Sequence, residues 1–190
     1  MSIGQDDEAL AKAVASGDER AFGLLVSRHL ERVRAVANGF TGNAADADEI
    51  AQDVFVAVWS RVSDWRPDRG RFSTWLYRIT ANKCIDHGRR RGRRVAWAPI
   101  EDVAHRLAGN DDPERELAGR DELAAVRRAI AGLPDRQRMA LLLSVSAGLA
   151  NGEIALTMGI SRGAVEQLLV RARTGLRAAG NEKDNDHEQG

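Results

Sequence analysis

Residues 151–173 constrain the fold most, because their apolar and small residues recur at helical spacing on both sides of a glycine. Ile154 and Met158 would lie on the inner face of a first helix. Gly159 follows where the chain must turn sharply, and glycine tolerates the positive φ that such a turn uses. Ser161 can then cap a second helix. The pattern predicts a helix-turn-helix.

The second helix of this unit would have a buried face and a free face. Val165, Leu168 and Ala172 recur at helical spacing, and Ala155 is small where the two helices would cross. The other face would be free to enter a DNA major groove. It carries Arg162, Gly163, Glu166, Gln167, Val170 and Arg171. An ordinary helical hairpin in a core is the alternative, but the agreement of so many positions favours DNA binding.

The remaining periodic segments also indicate helices, and no alternating strand pattern of useful length occurs. Asp18 and Asn43 can begin two helices, and a break is expected at residues 39–42. A polar loop at residues 64–71 precedes a third helix over residues 72–90. These three helices would form a first bundle.

A second bundle is predicted near the C-terminus. Two further apolar stripes precede the helix-turn-helix: Leu123, Val126, Ile130 and Leu133, then Met139, Leu142 and Leu143. The sequence therefore predicts an all-α fold of two small helical bundles joined by a flexible linker, the C-terminal bundle containing the helix-turn-helix. The predicted divisions are residues 1–94, a linker at 95–119, residues 120–178 and a disordered tail at 179–190.

Composition excludes several classes of protein. A single cysteine, Cys84, rules out an intrachain disulfide and argues against a four-ligand zinc site. No apolar run is long enough to cross a bilayer, and the N-terminus lacks a secretory signal, so a cytoplasmic location is expected. The net charge is zero, but basic and acidic residues cluster separately. A chain that touches DNA on one face and basic protein on another would have this distribution.

The segment 72–94 combines aromatic residues with a basic end. Trp75 offers a flat surface for an unstacked base, although it can also pack in the core, and the arginines can neutralise phosphates. Phe72 and Ile79 are expected to be core residues. Asn82 and Asp86 are one helical turn apart, so they share a face.

The acidic segment 46–59 has two readings. Its carboxylates can hold a divalent metal, as in a nuclease, or they can form a solvated face or a docking surface for a basic partner. No second acidic or histidine cluster matches it, so docking or solvation is favoured. We expect no metal, no cofactor and no catalytic residues, since no nucleophile elbow, phosphate loop or catalytic carboxylate pair is present.

Three segments in this order, at residues 46–59, 71–90 and 133–177, resemble the extracytoplasmic-function (ECF) group of bacterial RNA polymerase sigma factors. The resemblance implies that the acidic helix binds a coiled coil of the polymerase β′ subunit, with β as a further contact. It also implies promoter DNA as a ligand and an anti-sigma factor as a partner. The residues that would meet β′ are Asp48, Glu49, Gln52 and Asp53.

The resemblance also assigns the DNA contacts. The loop 64–71 and the helix that follows would hold a base flipped from the −10 element, at a cost of about a few kcal/mol. The residues on this side are Arg69, Arg71, Trp75, Asn82, Asp86, Arg89 and Arg90. At the −35 element the base-edge candidates are Glu166, Gln167, Val170 and Arg171, and the phosphate candidates are Ser161, Arg162 and Arg173.

This chain departs from the family pattern at two places, which limits what the resemblance implies. Many relatives have an aromatic residue after the 148–149 pair, where this chain has Ala150, Asn151 (a good helix cap) and Gly152. Glu166 is acidic at a position where relatives are often basic. The promoter sequence that this chain recognises therefore cannot be deduced from the promoters of its relatives. The alternatives are a stand-alone helix-turn-helix regulator, a metal-dependent nuclease and a polymerase-binding decoy.

Overall fold

The computed structural model describes residues 6–90 and 119–187, and these two ranges contain helices, short turns and no strand. The all-α prediction is therefore confirmed for them. The helices of the first range are α1 (Asp7–Ala15), α2 (Glu19–Thr41), α3 (Ala44–Arg61) and α4 (Phe72–Arg90). Those of the second are α5 (Gly119–Gly132), α6 (Asp135–Val145), α7 (Asn151–Met158) and α8 (Arg162–His187).

The N-termini of α2 and α3 form where the sequence places capping residues. The Asp18 carboxylate accepts hydrogen bonds from the Arg20 and Ala21 amides at 2.9 and 3.0 Å. The Asn43 side chain accepts one from the Asp46 amide at 3.1 Å. Each bond satisfies an amide that has no partner within its helix.

The sequence predicts a break between helices at residues 39–42. In the structure the helix ends only at the last of these residues, Gly42. Helix α2 continues through Gly39 to Thr41 and stops at Gly42, which has a φ of 73°. A glycine inside a helix costs about 1 kcal/mol relative to alanine, an amount that tertiary contacts readily offset. Gly39 therefore lies within α2 rather than ending it.

Within residues 6–90 the first bundle has four α-helices, one more than predicted. The additional helix α1 buries Leu10, Ala11 and Val14 at helical spacing. With α2, α3 and α4 it forms a core in which Leu25, Val33 and Val54 are fully buried. Residues 7–15 are therefore part of the bundle.

The helices of the second bundle correspond to the predicted apolar stripes, but their buried residues and their bounds differ in part from the prediction. Val126 is half exposed, and Leu133 is buried. The first helix begins at Gly119, the last residue of the predicted linker; the rest of that linker lies outside the described residues. Helix α8 continues to His187, into residues 179–190, which the sequence predicts to be a disordered tail.

The two bundles pack against each other. Helix α6 lies against α2, and α7 lies against α4, so one hydrophobic core includes residues of both bundles. None of the described helices is long and apolar enough to span a bilayer. This packing places the helix-turn-helix next to the helix that carries most of the predicted −10 residues.

Candidate nucleic-acid interface and docking groove

The helix-turn-helix is formed by α7 and α8. Gly159, with a φ of 66°, makes the turn between them, and the Ser161 hydroxyl accepts a hydrogen bond from the Ala164 amide at 3.2 Å. Ile154 and Val165 are fully buried between the two helices. Glu153 accepts a hydrogen bond from the amide of Ala150 at 2.9 Å, so Ala150 rather than Asn151 is the capping position.

The exposed side of α8, together with Ser161 just before it, carries the residues predicted to contact the −35 element. Arg162 and Glu166 form an ion pair of 3.2 Å on this face, one turn apart. Val170 lies on the same side of the helix and is 60% exposed. The predicted residues that the structure leaves exposed are Ser161, Arg162, Glu166, Gln167, Val170, Arg171 and Arg173.

The loop before α4 is held by aromatic packing. Trp65 is buried, and its indole N–H donates a hydrogen bond to the Gly70 carbonyl at 3.2 Å. The Trp65 ring meets the Phe72 ring edge-on at 6.1 Å, and the Phe72 ring lies 5.9 Å from that of Trp75. Phe72 is buried as predicted, and Trp75 is half-buried. Only part of Trp75 is therefore available to a base.

Helix α1, which was not predicted from the sequence, contributes to the same region. A Glu8 carboxylate oxygen accepts a hydrogen bond from the Phe72 amide at 3.2 Å, which caps the N-terminus of α4. Asp7 pairs with Arg28 at 2.8 Å and with His29 at 2.7 Å, and these contacts hold α1 against α2. The helical spacing of Leu10, Ala11 and Val14 was the available signal.

The remaining predicted −10 residues lie along the loop and α4. Asn82 and Asp86 share an exposed face, and Asp86 lies 4.0 Å from Arg89. Arg71 pairs with Glu153 of α7 at 3.5 Å, a contact between the two bundles. The exposed members of this set are Arg69, Arg71, Asn82, Asp86, Arg89 and Arg90.

An apolar groove of about 880 Å³ lies between α2 and α3. Phe22 packs edge-on against Trp59 at 5.1 Å, and Trp59 and Val56 are 42% and 61% exposed. Exposed apolar side chains gathered in a concave surface are typical of a site that binds another protein. The apolar residues that line it are Phe22, Val26, Leu30, Ala51, Phe55, Val56 and Trp59.

Only two of the four residues predicted to bind polymerase line the groove. Asp48 and Gln52 do, whereas Glu49 and Asp53 lie outside it. The Asp48 carboxylate accepts a hydrogen bond from Arg34 at 2.6 Å, which raises the pKa of Arg34 above its ordinary value. Asp53 pairs instead with Lys83 of α4 at 3.0 Å. The sequence missed the apolar residues that make up most of the groove because they also suit a core.

The acidic segment gives no sign of a metal site within the described residues, where no group of three or more potential ligands converges. Asp46 is buried and lies 3.2 Å from the His87 ring nitrogen. This carboxylate therefore joins α3 to α4.

Comparison with known proteins decides the family. Residues 25–94 match Sigma-70 region 2, and residues 123–176 match Sigma-70 region 4. The RNA polymerase sigma factor CnrH of Cupriavidus metallidurans is 39% identical over 178 residues, which cover 90% of this chain and 93% of CnrH. The ECF RNA polymerase sigma factor SigE of Mycolicibacterium smegmatis is 35% identical over 176 residues, covering 90% and 68%. The chain belongs to the ECF group of sigma factors.

Solved structures agree with this assignment. This sigma factor is similar to CnrH in its complex with the cytosolic domain of CnrY, with a TM-score of 0.71, 34% identity and coverage of 93% and 97% of the two chains. The RpoE sigma factor bound to the anti-sigma factor NepR, from Bartonella quintana, shares the fold at a TM-score of 0.64 and 23% identity, with coverage of 84% and 96%. The resemblance found in the sequence is confirmed.

Proposed function

We propose that this ECF sigma factor binds core RNA polymerase through the α2–α3 groove and recognises promoter DNA through α4 and α8. The observation that carries the proposal is the separation of two exposed surfaces. One is the apolar groove around Trp59, and the other is the polar face of α8 around Arg171. An initiation factor needs both, because it must attach to the enzyme and select the DNA.

At the groove, the partner is the coiled coil of the polymerase β′ subunit. Val56 and Trp59 supply the apolar contacts. Asp48 and Gln52 at the edge of the groove add a charged and a polar side chain. Such an arrangement places an aromatic anchor inside a polar rim, as protein interfaces generally do. Glu49 and Asp53 add negative charge that steers a basic partner.

At the DNA, the two helices have different tasks. The loop 64–71, held by Trp65 and Glu8, receives a base flipped from the −10 element, and Asn82 and Asp86 follow the strand. Helix α8 enters the major groove of the −35 element, where Arg171 and Gln167 meet base edges. The predicted contacts to phosphate are Ser161, Arg162 and Arg173.

The regulation we propose follows from the relatives. CnrH is seen in complex with the cytosolic domain of CnrY, and RpoE is seen with an anti-sigma factor. We propose that a protein of this kind also holds the present chain inactive. We further propose that the chain acts in the cytoplasm and has no catalytic activity of its own.

Run-off transcription tests the proposal. Purified core polymerase is given a genomic fragment library with and without the full chain, and transcripts are mapped. We expect new transcripts with defined start sites only when the chain is present. Binding to duplex operators without polymerase, and no new start sites, would favour the stand-alone regulator. Polymerase binding with no new transcript would favour the decoy.

A further inference from the structure

Two exposed side chains of α8 are bonded to each other. The Arg162 Nε–H donates a hydrogen bond to Oε1 of Glu166 at 3.2 Å, and the two side chains are 74% and 52% exposed. This bond uses one of the donors of the guanidinium and one of the two carboxylate oxygens. Within the part of the chain that the structure describes, the terminal amino groups of Arg162 and Oε2 of Glu166 therefore remain open to a ligand.

Helix stability does not account for this pair. An exposed ion pair at this spacing adds little to a helix, and the order found here, with the cation nearer the N-terminus, is the less favourable one. Arg162 is also the first residue of α8, where the helix dipole disfavours a positive charge. A role in binding DNA accounts for the pair better than a role in folding.

The position of the pair suits contact with base edges. Arg162, Glu166 and Val170 follow one another at intervals of four residues, so they form one exposed stripe along α8. In a helix-turn-helix, the N-terminal residues of the second helix contact base edges in the major groove. The pair lies in the first turns of that helix. It would therefore face the bases of the −35 element.

Pairing also allows a carboxylate to face DNA. A lone carboxylate on this side of α8 would be repelled by the phosphates. The guanidinium of Arg162 compensates the charge of Glu166, so the pair as a whole is neutral. A neutral pair gains little from phosphates, and its hydrogen-bonding groups are better suited to base edges.

A G·C base pair is complementary to these groups. In the major groove guanine presents two acceptors, N7 and O6, and cytosine presents the N4 amino donor. The amino groups of Arg162 can donate to guanine while Oε2 of Glu166 accepts from cytosine. An A·T pair presents the adenine N6 donor in place of guanine O6, and the thymine O4 acceptor in place of the cytosine amino group. Donor then meets donor and acceptor meets acceptor, so the same two side chains reject A·T.

We propose that Arg162 and Glu166 act as one unit that reads a single G·C base pair of the −35 element. The inference rests on the proposed function for the entry of α8 into the major groove. It makes Arg162 a base-reading residue rather than the phosphate contact that the resemblance implies. The ion pair holds the guanidinium in place before DNA arrives, so less side-chain freedom is lost on binding.

Substitutions of the two residues test the unit. Core polymerase carrying the full chain is titrated with a promoter fragment from the run-off experiment, in which each −35 base pair is replaced in turn by the other three. At one position the wild type should prefer G·C over A·T by about tenfold or more. Arg162→Ala and Glu166→Ala should each lose most of that preference, and the double variant should lose no more than either alone. Losses at two different positions, or a preference that survives in either variant, would overturn the proposal.

Arg173→Ala is the matched control, because Arg173 is exposed on α8 and is a predicted phosphate contact. It should weaken binding to all fragments equally and keep the G·C preference. If Arg162→Ala also weakens binding to all fragments equally, Arg162 is a phosphate contact and the proposal is overturned.

Modified bases test the same contacts with the unaltered chain. 7-Deazaguanine lacks the N7 acceptor, and 2-pyrimidinone in place of cytosine lacks the N4 amino group. Each should weaken wild-type binding at the G·C position. The first should not further weaken Arg162→Ala, and the second should not further weaken Glu166→Ala. Wild-type binding that is indifferent to either base would overturn the proposal, whether or not the variants fold.

Failure of the proposed function is distinguishable from failure of this inference. If the chain directs no transcript from any fragment, the proposed function fails. The unit is then tested by selecting duplexes from a random library with the free full chain. A G·C preference at one position that Arg162→Ala and Glu166→Ala both abolish would support the unit, and the absence of such a preference would overturn it.

Discussion

At the scale of single residues, Cys84 shows how burial sets chemistry. It is fully buried in α4, and burial raises the pKa of its thiol to about 12. The thiolate is the reactive form, so the native thiol should be inert at neutral pH. The buried Cys84 thiol therefore acts as a packing residue of α4 rather than as a redox switch.

We expect the native chain to resist alkylation at pH 8 and the urea-unfolded chain to be labelled quickly, as measured by mass spectrometry. Burial keeps the native thiol protonated and inaccessible, and unfolding removes both effects. A Ser27→Cys variant supplies an exposed thiol on α2 as a positive control. Native labelling of Cys84 at the rate of that control would contradict the prediction.

Arg171 and Arg173 provide a matched pair on α8, since both are exposed and carry the same charge. Arg171→Ala should reduce discrimination among −35 variants by about 1–3 kcal/mol if the guanidinium makes a bidentate guanine contact. Arg173→Ala should weaken binding to all sequences equally and reduce the salt slope by about 1. Titrations of a −35 duplex panel at several salt concentrations measure both. Identical profiles for the two variants would remove Arg171 from the base-reading set.

At the scale of elements, the α2–α3 groove supports a prediction about polymerase binding. Trp59→Ala removes an exposed aromatic from the groove and should weaken association with the β′ coiled coil by about 2 kcal/mol, as truncation of an interface anchor does. Leu24→Ala is the control, because Leu24 is 47% exposed on α2 but does not line the groove. Calorimetric titration with the isolated coiled coil measures both. Equal losses in the two variants would contradict docking in the groove.

The cap that Glu8 provides to α4 supports a second prediction. Glu8→Ala should cost about 1 kcal/mol of stability and also weaken binding of a single-stranded −10 oligonucleotide, because the Phe72 amide then lacks its acceptor. Asp18→Ala removes the cap of α2 rather than that of α4, at a similar cost of about 1 kcal/mol. Urea unfolding and fluorescence titration separate the two effects. Loss of oligonucleotide binding in both variants would indicate a general effect of stability.

At the scale of the whole molecule, the shared core predicts cooperative unfolding. Since one hydrophobic cluster includes residues of both bundles, the wild type should unfold in a single calorimetric transition. Gly39→Leu inserts a side chain where Leu142 of α6 sits, so it should separate the bundles and give two transitions. Gly23→Leu adds one where nothing lies within 4 Å and should keep a single transition. Two transitions in the wild type would show that the bundles are independent.

The sequence predicted most elements of the fold, and the misses have identifiable causes. Caps and apolar periodicity are local, so α2, α3, α4 and the helix-turn-helix were found. Helix α1 was overlooked although its apolar residues are periodic, and Val126 was placed in a core stripe although it is half exposed. Periodicity identifies an apolar face, but it does not show whether a neighbouring helix covers that face at every turn.

The sequence by itself determined the family, the helix-turn-helix and the residues exposed on α8, because these depend on spacing within one helix or turn. Only the tertiary structure decided which acidic residues border the groove. Asp53 pairs with Lys83 of α4, whereas Asp48 lines the groove. It also decided that the bundles meet at Arg138 and Phe40, which are 98 positions apart. Contacts over such separations depend on how helices pack, and no local pattern of residues encodes them.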